Sequence, residues 1–396
     1  MTSPLPPGPL RLLRGLAPSA VAVAVAAAGA ARADAQWEGS TSAVLRHYPT
    51  ARADLPAWEV AWTGQATRRF SWGEGAQLLT VTSFVRTDPD TFERSRVDLL
   101  DAAWERLGER WELLVGAKVV SWGVVESTAL VDVINQRDYA SDALQPLRMG
   151  QPVAGGRLFL GVGTVEAYLL PWHRPRRFDG REATLRTERP IAVDAPRFED
   201  DGVARHLAWS ARWSHFLGPL DVALSHFRGT DRAPRAAPSS APDQAVIPFY
   251  ERIAHTAVEL QWTHGSWLVK LEALRRAARG DVHGALAGGI EYSFADYLSW
   301  FVEYVHDDRP VFSSRTVDRD VFLGARLLTQ DWTLSLRGFV DAATGNAIAS
   351  TTATRRISGS TTVTVDARSL LGERDVEPQL AHLVDAFVEL RLSTFF

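Results

Sequence analysis

The histidines of this 396-residue chain stand at 47, 173, 206, 215, 226, 255, 264, 283, 306 and 382, and no two form the H-E-x-x-H spacing of a metal-binding helix. No G-x-S-x-G elbow or phosphate loop occurs, and Gly161-Val162-Gly163 is a lone turn, not a nucleotide fingerprint. The absence of cysteine removes thiol nucleophiles, Cys-ligated zinc, iron–sulfur clusters and disulfides. The nearest approach to a nucleophile-and-base pair is His206, Ser210 and Ser214, which share one face of an extended stretch. No metal, cofactor or catalytic residue is assigned. The chemistry on offer is electrostatic. Glu112, Lys118, His206, Arg212, Glu259, Gln261, Lys270, Glu272, Glu291, Glu303, Arg326, Arg337, Asp341, Asp385, Glu389 and Arg391 each occupy alternate positions in otherwise apolar stretches. Both signs are present. Such a set is either a mutually paired, hydrated wall or a charge ladder that guides a charged solute.

The elements that would position these groups read as strands. Val388, Leu390 and Leu392 alternate with Glu389, Arg391 and Ser393, and Trp267, Val269 and Leu271 alternate with Leu268, Lys270 and Glu272. Eighteen such stretches are expected, at 36–46, 57–68, 76–86, 95–106, 110–121, 155–162, 163–171, 203–216, 219–228, 250–263, 266–276, 284–294, 297–306, 319–329, 332–341, 347–357, 360–368 and 381–396. Short turns near 107–110, 161–164, 217–219, 263–266, 294–297, 329–332 and 358–361 alternate with longer connections at 122–154, 172–202, 229–249, 276–284, 307–318, 342–347 and 369–381. That parity belongs to a transmembrane antiparallel up-and-down β-barrel, all-β, of about 18 strands, with sixteen as the competing count. Seven tryptophans flank the short turns: Trp104, Trp111, Trp213, Trp262, Trp267, Trp300 and Trp332. Rings that are part apolar and part polar collect where hydrocarbon meets headgroups. At 16 to 18 strands the interior is too wide for side chains to fill, and a hydrated lumen follows.

The ends of the chain agree. Arg11 and Arg14 precede an apolar run from Gly15 to Ala30, followed by small residues around Ala33, the layout of a signal peptide over residues 1–35. Residues 36–396 are then a single barrel domain. Cleavage before Asp34 removes three arginines and no acid, taking the net charge from −4 to −7. That charge gives no case for nucleic acid. All basic residues except Lys118 and Lys270 are arginine. The apolar final strand ends on Phe396 and must pair with the first to leave no open edge.

Residues 118–138, KVVSWGVVESTALVDVINQRD, break the alternation. A connection this long without regular structure is often functional. Two placements stay open, a fold into the lumen that narrows it and an ordered cap on the rim. Under the first, Glu126, Asp132, Asn135, Arg137 and Asp138 form the constriction. The wall facing them carries Lys118, Arg212, Glu259, Lys270, Glu303, Arg326, Arg337, Glu389 and Arg391. Trp122-Gly123, Glu126-Ser127, Leu130-Val131-Asp132, Ile134-Asn135 and Asp138, with Gly150-Gln151-Pro152 after them, resemble a stretch of Gram-negative outer-membrane porin-like and alginate-export-like barrels, a largely uncharacterised family. The C-terminal aromatic strand resembles the one their assembly machinery recognises. The resemblance implies a bacterial outer-membrane channel passing polar or charged small solutes or oligosaccharide, with outer-membrane lipid, lipopolysaccharide and the barrel-assembly machinery as partners. A barrel closed by its loops that acts as a surface-binding or structural protein, and a membrane hydrolase, are the alternatives.

Overall fold

The computed structural model describes residues 37–49, 56–89, 94–128, 130–140, 146–178, 191–202, 206–237, 245–309, 319–372 and 386–396. The leader-like residues 1–35 and Asp385 lie outside them. Within the described residues, eighteen strands form one antiparallel sheet closed on itself. In chain order they are β1 Trp37–His47, β2 Trp58–Trp72, β3 Gln77–Thr87, β4 Arg96–Leu107, β5 Trp111–Lys118, β6 Gln151–Leu160, β7 Gly163–Leu170, β8 Ala208–Leu217 and β9 Leu220–Thr230. The second half continues with β10 Arg252–His264, β11 Trp267–Ala278, β12 Asp281–Ala295, β13 Leu298–Asp307, β14 Arg319–Leu328, β15 Trp332–Asp341, β16 Ala347–Arg356, β17 Thr361–Leu371 and β18 Phe387–Phe395. Each strand pairs with its sequence neighbours. The ring closes where β1 meets β18, with Ser40 opposite Phe395 and His47 opposite Val388. Backbone bonds of 2.9 and 3.0 Å between Gly39 and Phe396 continue the ladder to the last residue. Closure satisfies every strand edge, which a sheet in hydrocarbon requires.

The strand count of eighteen holds and sixteen does not. All eight connections at one end, such as 108–110, 161–162 and 265–266, have two to four residues. The long connections lie at the other end. One reading there is corrected: 276–284 is not a long connection. β11 and β12 meet at the two-residue turn Arg279-Gly280, with φ of +50° and +92°. That mirror-image turn matches the twist of the flanking strands. Other boundaries shift too. Gln151 and Pro152 open β6 rather than preceding it, and β8 begins at Ala208, so His206 precedes the strand.

Period two sorts the residues of each strand onto two faces, and a one-residue slip would exchange them. On β11, Lys270, Glu272, Leu274 and Arg276 are buried while Val269 and Trp267 are exposed. The outer face is apolar around the ring, for example Leu113 and Val115 on β5, Ile290 on β12, Leu336 on β15 and Leu390 on β18, all exposed. A continuous apolar belt of this kind fits lipid and not water. The seven tryptophans beside the short turns all take outward positions. Trp104, Trp213 and Trp300 each neighbour an inward residue of the same strand, Ala103, Arg212 and Phe301.

Candidate functional site: the lumen and the segment that crosses it

Residues 119–150 join β5 to β6, and the structure turns their first half inward. Val120, Trp122, Leu130, Val131, Val133 and Ile134 are buried in one apolar cluster with Phe227 of β9, Ile253 and Ala257 of β10, Leu274 of β11, Ala285 and Ala287 of β12 and Val305 of β13. Those wall residues face the lumen. Each buried Val, Leu or Ile contributes about 1.5–3 kcal/mol, which holds the segment against the wall.

Three buried carboxylates fix its path. Glu259 of β10 accepts from the Gly123 amide at 3.1 Å. Glu272 of β11 accepts from Val124 at 2.6 Å, Val125 at 3.0 Å and Val131 at 3.3 Å. Glu303 of β13 accepts from Glu126 at 2.9 Å and Ser127 at 2.8 Å. Glu272 and Glu303 are fully buried at 0 and 2 % exposure, and a buried carboxylate needs this compensation. An irregular segment needs the converse, acceptors for its unpaired amides. β13 stands eight strands from β5 in a ring of eighteen, close to the opposite wall. At about 4.8 Å between strands tilted near 40°, the ring is about 35 Å across. Gly123 makes the approach possible. Its φ is +111°, and a Cβ there would stand 2.8 Å from Glu272 Oε1.

The far end of the segment is pinned differently. Asn135 closes it on itself, accepting from Val120 N at 2.9 Å and donating to Lys118 O at 3.0 Å and Met149 O at 2.8 Å. Asp132 binds Arg137 at 3.2 Å and Arg148 at 2.5 Å. Asp138 meets Arg96 of β4 at 3.0 Å. Arg94 donates to Ala140 O at 3.0 Å and to Glu59 of β2 at 2.7 Å.

The five residues expected at a constriction thus take different stations. Asn135 and Asp138 are buried in the segment's own framework, as is the side chain of Asp132, and Arg137 is part-buried beside it. Glu126 is the one whose side chain stays open, 40 % exposed, with Lys270 at 3.4 Å and Arg326 at 3.8 Å. On the wall, Lys118 pairs with Glu105 across β4 and β5. Arg212 bridges Glu166 at 3.1 Å and Glu259 at 2.9 Å, and Lys270 also reaches Glu291 at 3.1 Å. Glu389 is held between Arg46 and Arg391, each at 2.7 Å. Arg326, at 3.8 Å from Glu126, and Arg337, bonded to Ser335 Oγ at 3.1 Å, complete that wall.

The lumen is therefore two-sided. β9 to β13 carry apolar residues and carboxylates under the segment. β16 to β18 and β1 to β3 present hydroxyls, among them Thr352, Thr354, Thr364, Ser393, Ser42 and Thr82. Thr354 and Thr364 bond each other at 2.9 Å, as do Ser42 and Ser393. His206, Ser210 and Ser214 form no triad-like array: the His206 ring stacks on Trp172 at 4.1 Å and accepts from His173 N. Among the described residues no group of three or more His, Asp or Glu could hold a metal ion.

Sequence reasoning placed Glu259, Glu272 and Glu303 on the inner face and missed that they hold the segment. It also missed Arg46, Glu59 and Arg96, which lie on expected strands, and Arg94, which precedes one. No family model matches the chain, and no curated protein matches it. Solved structures similar to it include a mutant of Rh. blastica porin, at 11% identity and a TM-score of 0.46, covering 92% of this chain and 100% of that one. A triple mutant of Rhodopseudomonas blastica porin is similar at 10% identity and a TM-score of 0.45, with the same coverage of 92% and 100%. At that similarity neither adds to what the strand register itself establishes, a closed antiparallel barrel.

Proposed function

We propose that the protein is a porin-like channel of the bacterial outer membrane that passes polar or charged small solutes, oligosaccharide among them, by diffusion through a hydrated lumen. The observation that carries the reading is the division of the lumen. The crossing segment covers β9 to β13, and a face of hydroxyls with Arg326, Arg337 and Arg391 stands opposite it. Water and polar solutes are at home against such a face, and apolar ones are not. On this reading Glu126 is the constriction's acid, facing Arg326, while Asp132, Asn135, Arg137 and Asp138 hold the segment in place. Lys118, Arg212, Glu259, Lys270, Glu303 and Glu389 make up the paired wall. The apolar belt and the tryptophan ring support a lipid location, with lipopolysaccharide around the long connections. The terminal strand to Phe396 is the natural handle for the assembly machinery, and residues 1–35 the export signal.

Planar-bilayer recording on the folded mature protein tests this. Discrete conductance steps with a linear salt dependence are expected. A folded, heat-modifiable barrel that stays electrically silent would overturn the channel and favour a closed surface-binding barrel.

A further inference from the structure

Behind the crossing segment lies a cavity of about 100 Å³ that the channel reading does not use. Its walls are Leu130 to Tyr139 of the segment, the outer ends of β10 and β11, residues 231–233 and Arg176. Arg176, Arg232, Arg276 and His255 line it at 7, 4, 4 and 2 % exposure. Each has one buried nitrogen with no protein partner: Arg176 Nη1, Arg232 Nη2, Arg276 Nη1 and His255 Nε2. Unmet polar nitrogens of this kind are rare in a folded interior, and here they gather on four residues that line one cavity.

The charges point the same way. Arg276 is neutralised by Asp231 at 2.6 Å and Glu251 at 3.1 Å, and Arg309, which also lines the cavity, by Asp307 at 2.6 Å. Asp132 is taken by Arg137 and Arg148. Among the described residues neither Arg176 nor Arg232 forms an ion pair, although Asp231 adjoins Arg232 and attracts it. Arg176 donates Nε to Gln136 Oε1 at 3.3 Å and lies 4.5 Å from the centre of the Tyr139 ring. Arg232 donates to Ile134 O at 2.8 Å and Thr230 O at 3.1 Å, and meets His173 Nδ1 at 2.8 Å. A guanidinium does not shed its proton, so a buried one needs a counter-charge.

We propose that the cavity binds a small, doubly charged oxyanion, for which hydrogen phosphate is the model. Two arginines outside any ion pair favour negative charge in the cavity, up to two units. Their fixed N–H forks suit the oxygens of such an ion. One water needs about 10–15 Å³ of such space, so the cavity has room for an ion of five heavy atoms. Bound there, the ion joins three separate stretches of chain, at 176, 232 and 276, to the back of the segment.

The test is calorimetry and thermal melting of the detergent-solubilised barrel with inorganic phosphate, sulfate, acetate and chloride. Saturable binding of phosphate and sulfate is expected, with acetate weaker and the melting temperature rising with phosphate. Arg176→Gln should weaken phosphate binding by about tenfold or more, the loss of a charged hydrogen bond. Arg232→Gln should do the same, and heat-modifiability on a gel reports that each variant is folded. A cavity holding water only, seen as no saturable binding to the folded wild type, would overturn the proposal. So would binding unchanged in both variants, or an equal rise in melting temperature with chloride. None of these readings requires ion conduction, so a silent bilayer counts against the channel alone.

Discussion

Gly123 and the carboxylate beside it set how closely the segment meets the wall. In Gly123→Ala the new Cβ crowds Glu272 and the backbone sits in a region that alanine disfavours. A loss of about 1 kcal/mol or more is expected. Melting of purified protein should show it, with noisier single-channel current as the segment loosens. Glu303→Gln removes the charge that two segment amides share. Hydrogen bonds to a charged acceptor contribute about 1.5–3 kcal/mol, so a comparable loss of stability is expected. A melting curve equal to wild type would show that Glu303 does not hold the segment. Asp231, buried just past the end of β9, gives a pH test. Burial raises its carboxyl pKa, but Arg276, the Ala233 amide and Arg309 more than reverse that, and the folded value lies below the ordinary one. An acid held low stabilises above its unfolded value, about pH 4, and loses that contribution as pH falls through the folded value. The wild-type barrel should thus lose stability below about pH 4, and Asp231→Asn should flatten that part of the curve.

At the scale of elements, the crossing segment is the piece to remove. Replacing residues 124–150 with a short Gly/Ser turn should raise unitary conductance severalfold and leave the barrel folded, since its ladder does not run through them. Unchanged conductance and selectivity would mean that the segment does not narrow the path. How much of this was legible follows from what period two encodes. Alternation in stretches such as Trp267 to Leu274 tells which face a residue takes, and every strand was located. It does not say what an inward residue touches. The bonds of Glu272 and Glu303 run to amides more than 140 positions back in the chain, and nothing local in their strands marks that. The apolar inward positions Leu274, Ala285, Ala287 and Val305 are the trace that was available, because a purely hydrated wall has no use for them. The turn at Arg279-Gly280 was missed for a local reason. The stretch Arg275-Arg276-Ala277-Ala278-Arg279 has a loop's composition, yet Arg276 is a buried partner of Asp231.

For the whole molecule, the proposed channel would take its selectivity from what the open side of the lumen presents. Arg326, Arg337 and Arg391 stand there with Glu126 across from the first of them. Arg337→Glu with Arg391→Glu should move the reversal potential in a salt gradient toward cation preference. An unmoved potential would place the path elsewhere. The seam is a second whole-molecule quantity. Arg46 on β1 and Glu389 on β18 join the two ends of the sheet in a buried pair. Removing one partner of such a pair costs about 3–5 kcal/mol, so Glu389→Ala should melt well below wild type.

The position of the seam also leaves one order of assembly open without threading. The segment starts from β5, returns to β6, and is gripped by carboxylates on β10, β11 and β13. All of these lie on one unbroken arc of the chain, and the joint between β1 and β18 is outside it. A sheet that has curled but not yet joined its ends already holds every carboxylate partner the segment needs. The segment can therefore seat before the last strands swing round, and nothing has to be threaded into a finished cylinder.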